Sequence, residues 1–296
     1  MEKCGYRIFM SPKKIGLVGG SGFIGKNFKK LFGDKAEIKD ISRRSQAVDQ
    51  YSAEQLEQAL EECDSVVIMA AKKVNPKEQQ SLALYEDNVR IAENTLIACN
   101  QLGIKNIVYL SSRCVYAVPQ KTPISENGEI SPINYYGISK YTGELLCGYY
   151  NRTYQTNIKI LRLSQVVGND KNGNIIDRFT ENAQKGQPLT VYGKSVGRRD
   201  YIYVKDACRA IWAALHRYDL CGVYNIGSGV GTTSLELAKS VINGFHSLSQ
   251  IELLTEKQED TSISYLDVRK AKDELGYSCE YSLVETFCDL KKERGK

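Results

Sequence analysis

Histidine is almost absent from this chain of 296 residues, with His216 and His246 the only two. A metal centre built on imidazoles, or a triad with an imidazole between nucleophile and carboxylate, has little to work with. His216 ends a helical stretch that starts near Asp206, and His246 lies in a polar turn, so both read as surface residues. Cysteine occurs nine times, at Cys4, Cys63, Cys99, Cys114, Cys147, Cys208, Cys221, Cys279 and Cys288, but never as a Cys-x-x-Cys pair. An odd, scattered set reads as reduced thiols in a reducing compartment, most of them small core residues. No apolar run approaches the ~20 residues that span a bilayer; the run over 65–71 is among the longest. The opening segment carries Glu2, Lys3 and Arg7 where a signal peptide would be apolar. These absences point to the cytoplasm and to no membrane partner. Basic runs and RNA-binding signatures are missing too, and the formal charge of +5 is mild. It suits a phosphorylated small molecule rather than nucleic acid.

What is present is an ordinary globular composition, 42% hydrophobic and 25% charged. The length allows one large α/β unit or a nucleotide domain with a smaller lobe. Apolar runs and helical patterns alternate from residue 14 to about 165. Lys14-Ile-Gly-Leu-Val18 is strand-like, and Phe23, Ile24, Phe28, Leu31 and Phe32 follow at helical spacing. A second strand is predicted over 37–42 and a helix through Ala53, Leu56, Ala59 and Leu60. A buried strand over 65–71 leads to a long amphipathic helix through Tyr85, Val89, Ala92, Leu96 and Cys99. A strand over 104–111, a Pro/Ser/Gly-rich loop to Pro132, a helix over 135–150 and a strand over 158–163 complete the series. Strands separated by helices of this length imply a parallel sheet with right-handed crossovers. The fold class expected is α/β, a doubly wound parallel sheet.

After Gly168 the pattern loosens into short strands over 190–192, 201–204 and 223–226, with helices near 206–216, 234–242, 268–275 and 283–290. The expected division is a dinucleotide-binding Rossmann-type domain over 1–165 and a smaller C-terminal α/β substrate lobe over 166–296. Some segments of the second part are expected to return to the first.

Gly19-Gly-Ser-Gly22-Phe-Ile-Gly25 follows the first strand and opens the first helix. Glycines there permit a tight turn and let backbone N–H groups approach a pyrophosphate at the positive end of the helix dipole. Gly19, Gly22, Phe23, Ile24 and Gly25 are therefore candidate cofactor contacts. The cofactor's 2′-position is read from the end of the second strand. If Ile38 and Ile41 are its buried positions, Ser42 is terminal and Arg43 and Arg44 follow. A hydroxyl and two guanidiniums suit a 2′-phosphate, which tips the reading toward NADP. A register shifted by two puts Asp40 there instead and favours NAD.

Two Tyr-x-x-x-Lys strings occur, Tyr136–Lys140 and Tyr201–Lys205. Tyr136 opens a helical stretch, which puts Lys140 one turn along, roughly 6 Å away on the same face. Tyr201–Lys205 reads as extended, where four residues span about 13 Å. Only the first pair can couple. A phenol is a poor base at neutral pH until its pKa falls by about three units. That takes roughly 4 kcal/mol, about what one ammonium at ~4 Å supplies at an effective dielectric of ~20. Tyr136 could then take a proton from a substrate hydroxyl while hydride leaves the same carbon. Ser112, at the carboxyl end of the fourth strand, is placed to hold the reacting oxygen.

With these residues in view the chain resembles the extended short-chain dehydrogenase/reductases, in particular their NAD(P)-dependent nucleotide-sugar epimerase/dehydratase group. The matching strings are the glycine loop, Leu110-Ser-Ser112-Arg-Cys-Val-Tyr116, Tyr136-Gly-Ile-Ser-Lys140, Arg198-Arg-Asp-Tyr-Ile-Tyr-Val-Lys-Asp206, Asn225-Ile-Gly-Ser-Gly229, and the stretch over 267–276. They occur in the family's order over nearly the whole chain. The resemblance implies Ser112, Tyr136 and Lys140 as catalytic, with Lys140 also on the cofactor. It implies Asp49 at the adenine, and Ser112 and Arg199 on a nucleotide-diphosphate sugar. It also implies a homodimer formed through the helix after Tyr85 and the helix carrying Tyr136.

Departures narrow the choice. Where sugar 4,6-dehydratases of the family carry acidic residues after the catalytic hydroxyl, this chain has Arg113 and Cys114, which argues against water elimination. Cys114 resembles the cysteine that GDP-fucose synthases use, but Asn174 appears where their basic partner is a histidine. It reads rather as a small strand-end residue. Gln165 stands where the family commonly has asparagine. The expected activity is that of a nucleotide-sugar epimerase, most simply at C4. An NADPH-dependent 4-ketoreductase shares every residue named, and a non-catalytic NADP-binding sensor is a third possibility.

Overall fold

The computed structural model of the chain describes residues 11–43, 48–72, 81–170 and 173–295. In chain order the elements are β1 (Lys14–Val18), α1 (Phe23–Phe32), β2 (Glu37–Ile41), α2 (Ala53–Leu60), β3 (Ser65–Ile68), α3 (Leu82–Gln101), β4 (Asn106–Ser112), α4 (Tyr135–Tyr154) and β5 (Asn157–Leu163). There follow β6 (Gln165–Val167), α5 (Ile175–Lys185), β7 (Leu189–Tyr192), β8 (Arg198–Arg199), β9 (Tyr201–Tyr203), α6 (Val204–Leu215), β10 (Gly222–Ile226), α7 (Ser234–Phe245), β11 (Ile251–Leu254), β12 (Ile263–Ser264) and α8 (Leu283–Arg294). Six strands form one sheet in the order β10-β5-β4-β3-β1-β2, every pair parallel.

The order shows where a ligand can enter. The chain leaves β1 toward β2 on one side, then returns to β3 on the other. Opposite crossovers open a crevice outside the carboxyl ends of these strands, the switch point of a doubly wound sheet. Alternation along the strands splits the core in two. Leu17, Val67, Val108 and Leu161 pack with α1 and α6 on one face, while Val66, Ile68, Ile107, Tyr109 and Ile158 pack with α2, α3 and α4 on the other.

Expected boundaries shift where turns take over. The strand expected over 65–71 ends at Ile68, because the amides of Met69 and Ala70 both turn to the carbonyl of Val18. The strand expected from 104 starts at Asn106: Gly103 is left-handed, and the Ile104 amide closes the end of α3 on Cys99. α4 runs four residues past the expected end, to Tyr154, and stops at left-handed Gln155. The helix expected over 268–275 forms over 269–275, its last five residues, Ala271–Leu275, as a π-type turn. The segment expected to be extended over 201–204 becomes helical at Val204, so Lys205 belongs to α6 and pairs with Asp289 instead of Tyr201.

Residues after 166 serve both halves of the molecule. β10 pairs with β5 as the edge of the main sheet, and α6 packs on α1, with Phe32 and Trp212 stacked at 4.4 Å. The remainder pairs in twos, β6 with β9, β7 with β11 and β8 with β12, and is covered by α5, α7 and α8.

The seat of α4 depends on absent side chains. A methyl at Gly143 would lie 2.6 Å from Cζ of Tyr109, which is buried in β4, and closer still to its hydroxyl. Alanine favours a helix by about 1 kcal/mol over glycine, whereas overpacking costs roughly 1–3 kcal/mol. Gly143→Ala should therefore lower the urea midpoint of unfolding despite the better helix former. An unchanged or raised midpoint would show that the α4–β4 contact tolerates expansion.

Candidate active site

The glycine loop is shaped by close approaches. Gly19 has φ +95°, and a Cβ there would lie 2.7 Å from the backbone of Ala70, at the end of β3. A Cβ on Gly25 would lie 2.5 Å from Cα of Gly20, so the first turn of α1 can press on the loop only without one. Gly22, the N-cap of α1, would meet nothing nearer than a carbonyl at 3.2 Å, leaving the helix N-terminus approachable. The loop thus forms a cradle that a pyrophosphate fits.

The cradle opens into a cavity of about 660 Å³, within the usual range for ligand sites. Gly19, Gly22, Phe23, Ile24 and Gly25 line it at one end, and Ser112, Tyr136 and Cys114 at the other. Ser42 and Arg43 are on its wall, while Arg44 lies outside the described residues. Asp40 is not on the wall; it sits beneath Gly20 and pairs with Lys29. Asp49, expected at the adenine, is not among the residues on the wall. Its carboxylate accepts the amide of Tyr51 at 3.0 Å inside the turn before α2, and Gln50 and Tyr51 face the cavity instead.

Tyr136 is brought to Ser112 by the start of α4. Asn134 caps that helix, its side chain accepting the amide of Gly137 at 2.8 Å. Gly137 has no side chain because the carbonyl of Cys114 and, at 2.9 Å, Pro132 occupy the space. The phenol lies beside Ser112 on the cavity wall, and the Ser112 Oγ accepts the amide of Cys114 at 3.2 Å.

Lys140 lies one turn further, buried, and Nζ is 5.9 Å from the centre of the Tyr136 ring and 5.1 Å from that of Tyr109. It stands behind the cavity wall rather than on it, donating to the carbonyl of Leu110 at 2.8 Å. Burial pulls its pKa down to about 8, against the opposing influence of Cys147 and Glu144. The phenol moves the other way from the sequence expectation. Burial pushes the Tyr136 hydroxyl above its ordinary range, the Cys114 thiol adds to the rise, and the neighbouring Ser112 hydroxyl opposes it. The ammonium does not reverse this, since it is itself desolvated and its nearest bond is to a backbone carbonyl.

One participant carried no signal in the sequence. Asn88 of α3, buried, accepts the amide of Lys72 at 2.7 Å and donates to Ser139 of α4 at 3.2 Å, while Ser139 donates to the carbonyl of Tyr136. It ties three segments beneath the site, yet in sequence it is one asparagine in a long helical run.

Arg199 is elsewhere. It lines a second cavity of about 270 Å³, formed by the C-terminal lobe, together with Arg178, Thr190, Tyr192 and Thr232. There it pairs with Asp260 and bonds Ser262 at 2.5 Å. Gln165 lines both cavities and marks their junction. Arg113 turns toward the lobe and donates to Ser264 at 3.5 Å.

The sequence profile of the NAD dependent epimerase/dehydratase family matches residues 15–227, which include the glycine loop, Ser112, Tyr136, Lys140 and Arg199. The chain belongs to that family. This epimerase/dehydratase-family chain is similar to a putative UDP-glucose 4-epimerase of Methanocaldococcus jannaschii, with 32% identity over 231 residues, covering 74% of this chain and 73% of the relative. The crystal structure of UDP-N-acetylglucosamine 4-epimerase from Bacillus cereus superimposes with a TM-score of 0.88 at 30% identity, covering 96% of this chain and 97% of that one. UDP-glucose 4-epimerase from Brucella ovis, solved in complex with NAD, gives 0.83 at 25% identity, covering 96% and 98%.

In this family member the seat of the phenol can be tested through Gly137. Gly137→Ala drives a methyl into the Cys114 carbonyl and should lift the start of α4, separating Tyr136 from Ser112. Turnover should fall roughly a hundredfold, the scale of a 1 Å misplacement, with dinucleotide binding retained. Wild-type turnover in a folded variant would refute that account.

Proposed function

We propose that this chain is a nucleotide-sugar 4-epimerase that works with a bound nicotinamide dinucleotide. The observation that carries this reading is that Tyr136 and Ser112 lie together on the wall of the glycine-loop cavity, which adjoins at Gln165 a second cavity holding Arg199 and Arg178. A nucleotide diphosphate in the second cavity, held by the two guanidiniums, would present its sugar toward Tyr136. The relatives' UDP-sugars make a UDP-sugar the first substrate class to try.

The glycine cradle, Phe23, Ile24, Ser42 and Arg43 would hold the dinucleotide, which when bound supplies a reversible hydride acceptor. Ser112 holds the sugar hydroxyl at the reacting carbon. Tyr136 takes the hydroxyl proton through its phenolic oxygen and gives it back once the sugar has turned over. Proton and hydride each leave and return once, so an epimer forms with no net redox change. Lys140 provides the chain's own cation beside a buried phenolate, whose formation burial otherwise opposes. Arg43 on the wall and Asp40 engaged by Lys29 favour NADP over NAD.

α3 and α4 pack on each other and leave Ile138, Leu145 and Tyr149 of α4 exposed, Leu145 by 57% and Tyr149 by 46%, at spacings that make one stripe. We take this stripe as the contact of a homodimer. Among the described residues no helix is long and apolar enough to cross a membrane and every cysteine is a free thiol, which fits a cytoplasmic enzyme.

The test is incubation of the purified protein with UDP-, GDP-, CDP- and dTDP-sugars, with and without NADPH. An isomer at C4 formed without net consumption of dinucleotide is expected. Stoichiometric loss of NADPH against a keto-sugar would make it a reductase, and binding without turnover would make it a sensor. Tyr136→Phe should abolish turnover yet bind dinucleotide as before; full activity in that variant removes the mechanism.

Light scattering should report a dimer, and Leu145→Arg should shift it to monomer. A wild-type monomer, or a variant that stays dimeric, rejects the α4 stripe as the interface.

A further inference from the structure

Tyr136, Lys140 and Glu144 recur every four residues and so share one face of α4. The reaction assigned above uses the first two. Glu144 is buried, and its carboxylate lies against Arg162 of β5, which is buried as well. Arg162 donates from Nε to Oε1 at 3.0 Å and to Oε2 at 3.2 Å, and from Nη2 to Oε2 at 2.6 Å. Ser111 donates to Oε1. Ser111 precedes Ser112 and is the register partner of Arg162 across β4 and β5. The other nitrogen of Arg162, Nη1, reaches the Tyr116 hydroxyl at 2.9 Å and the Glu126 carbonyl at 3.0 Å, and Tyr116 donates to Asn225 of β10 at 2.7 Å. One carboxylate thus ties the helix that carries the phenol to the strand end that carries its partner.

We propose that Glu144 is a positioning residue for the Tyr136–Lys140 pair, setting through Ser111 and Arg162 the height at which α4 rests on the carboxyl end of β4. The proposal rests on the reading of Tyr136 as the proton-transfer group. A slip of α4 along β4 would carry the phenol away from Ser112, and besides this carboxylate the two elements are tied near the site through Lys140, whose ammonium donates to the Leu110 carbonyl at 2.8 Å. The Tyr109 hydroxyl reaches the Lys140 carbonyl only at 3.5 Å. The carboxylate also faces Lys140. The groups around that ammonium are Tyr136, Glu144 and Cys147 on α4, Tyr109 and the Leu110 carbonyl on β4, with Arg162 of β5 behind Glu144. Glu144 and Cys147 favour its charged form and burial disfavours it.

Charge and register can be separated by two substitutions. Glu144→Gln keeps the size and an acceptor oxygen but removes the anion. Lys140 acts as a cation, so its deprotonation marks an alkaline limb in the pH profile of kcat. Loss of a neighbouring anion favours the neutral amine, so the limb should move to lower pH. Turnover should fall at least roughly tenfold, with KM for the nucleotide sugar near the wild-type value. Glu144→Asp keeps the anion on a shorter stem; the limb should stay in place while kcat falls. Because a guanidinium left alone in the core can unfold the protein, Ser111→Ala serves as the milder probe. It should lower kcat about threefold with the limb unmoved. Tyr136→Phe is run beside them. If that control is active, the reading of the site has failed, not this proposal. If it is inactive while Glu144→Asp and Ser111→Ala, both folded, keep wild-type kcat, Glu144 positions nothing. An unmoved limb in folded Glu144→Gln removes its influence on Lys140.

Discussion

The contact of α4 with β4 is the constraint from which the site follows. The helix brings Tyr136 and Lys140, the strand brings Ser112, and the two meet only because Gly137 and Gly143 have no side chain where Cys114, Pro132 and Tyr109 press against the helix. Helix propensity alone would put other residues at both places. Close packing of backbone against strand won, and the buried Glu144–Arg162 pair lies on the same seam. Stability and chemistry therefore use one interface, and substitutions there should seldom affect only one of them.

Burial has two faces in this site. In the mechanism proposed, it limits water at the place where a proton moves, which strengthens local charge interactions. It also opposes the phenolate at Tyr136 and the ammonium at Lys140, raising one pKa and lowering the other. Lys140 in its ordinary solvated form would be a generous source of charge; near pH 8 it is a poised one. The neighbouring Ser112 hydroxyl works in the phenolate's favour, which gives that serine an electrostatic part besides the substrate contact proposed for it.

The two cavities share Gln165 but are built differently. The larger belongs to the parallel sheet and its glycine turn, the smaller to paired short strands of the C-terminal lobe. A ligand of two unlike parts can lie across such a junction, one part reading backbone and the other guanidinium groups. The likeness to epimerases of UDP-sugars extends over nearly the full length of their solved chains, so both halves are held in common with them.

Much of this was legible in one dimension. The alternation of apolar runs with helical spacing determined the parallel sheet, because strands buried on both faces and crossover helices leave period and length in the chain itself. The glycine loop and the Tyr136–Lys140 spacing are likewise local, and a helix keeps residues four apart on one face whatever surrounds it. Tertiary contacts decided the rest. Asp49 is turned into its own loop and Asp40 toward Lys29, Asn88 joins the base of the site, and Lys205 answers Asp289 rather than Tyr201. The direction of the Tyr136 pKa was also out of reach of the sequence. Spacing fixes how far apart two groups stand along a helix, whereas desolvation depends on everything packed around them, and only the folded chain specifies that.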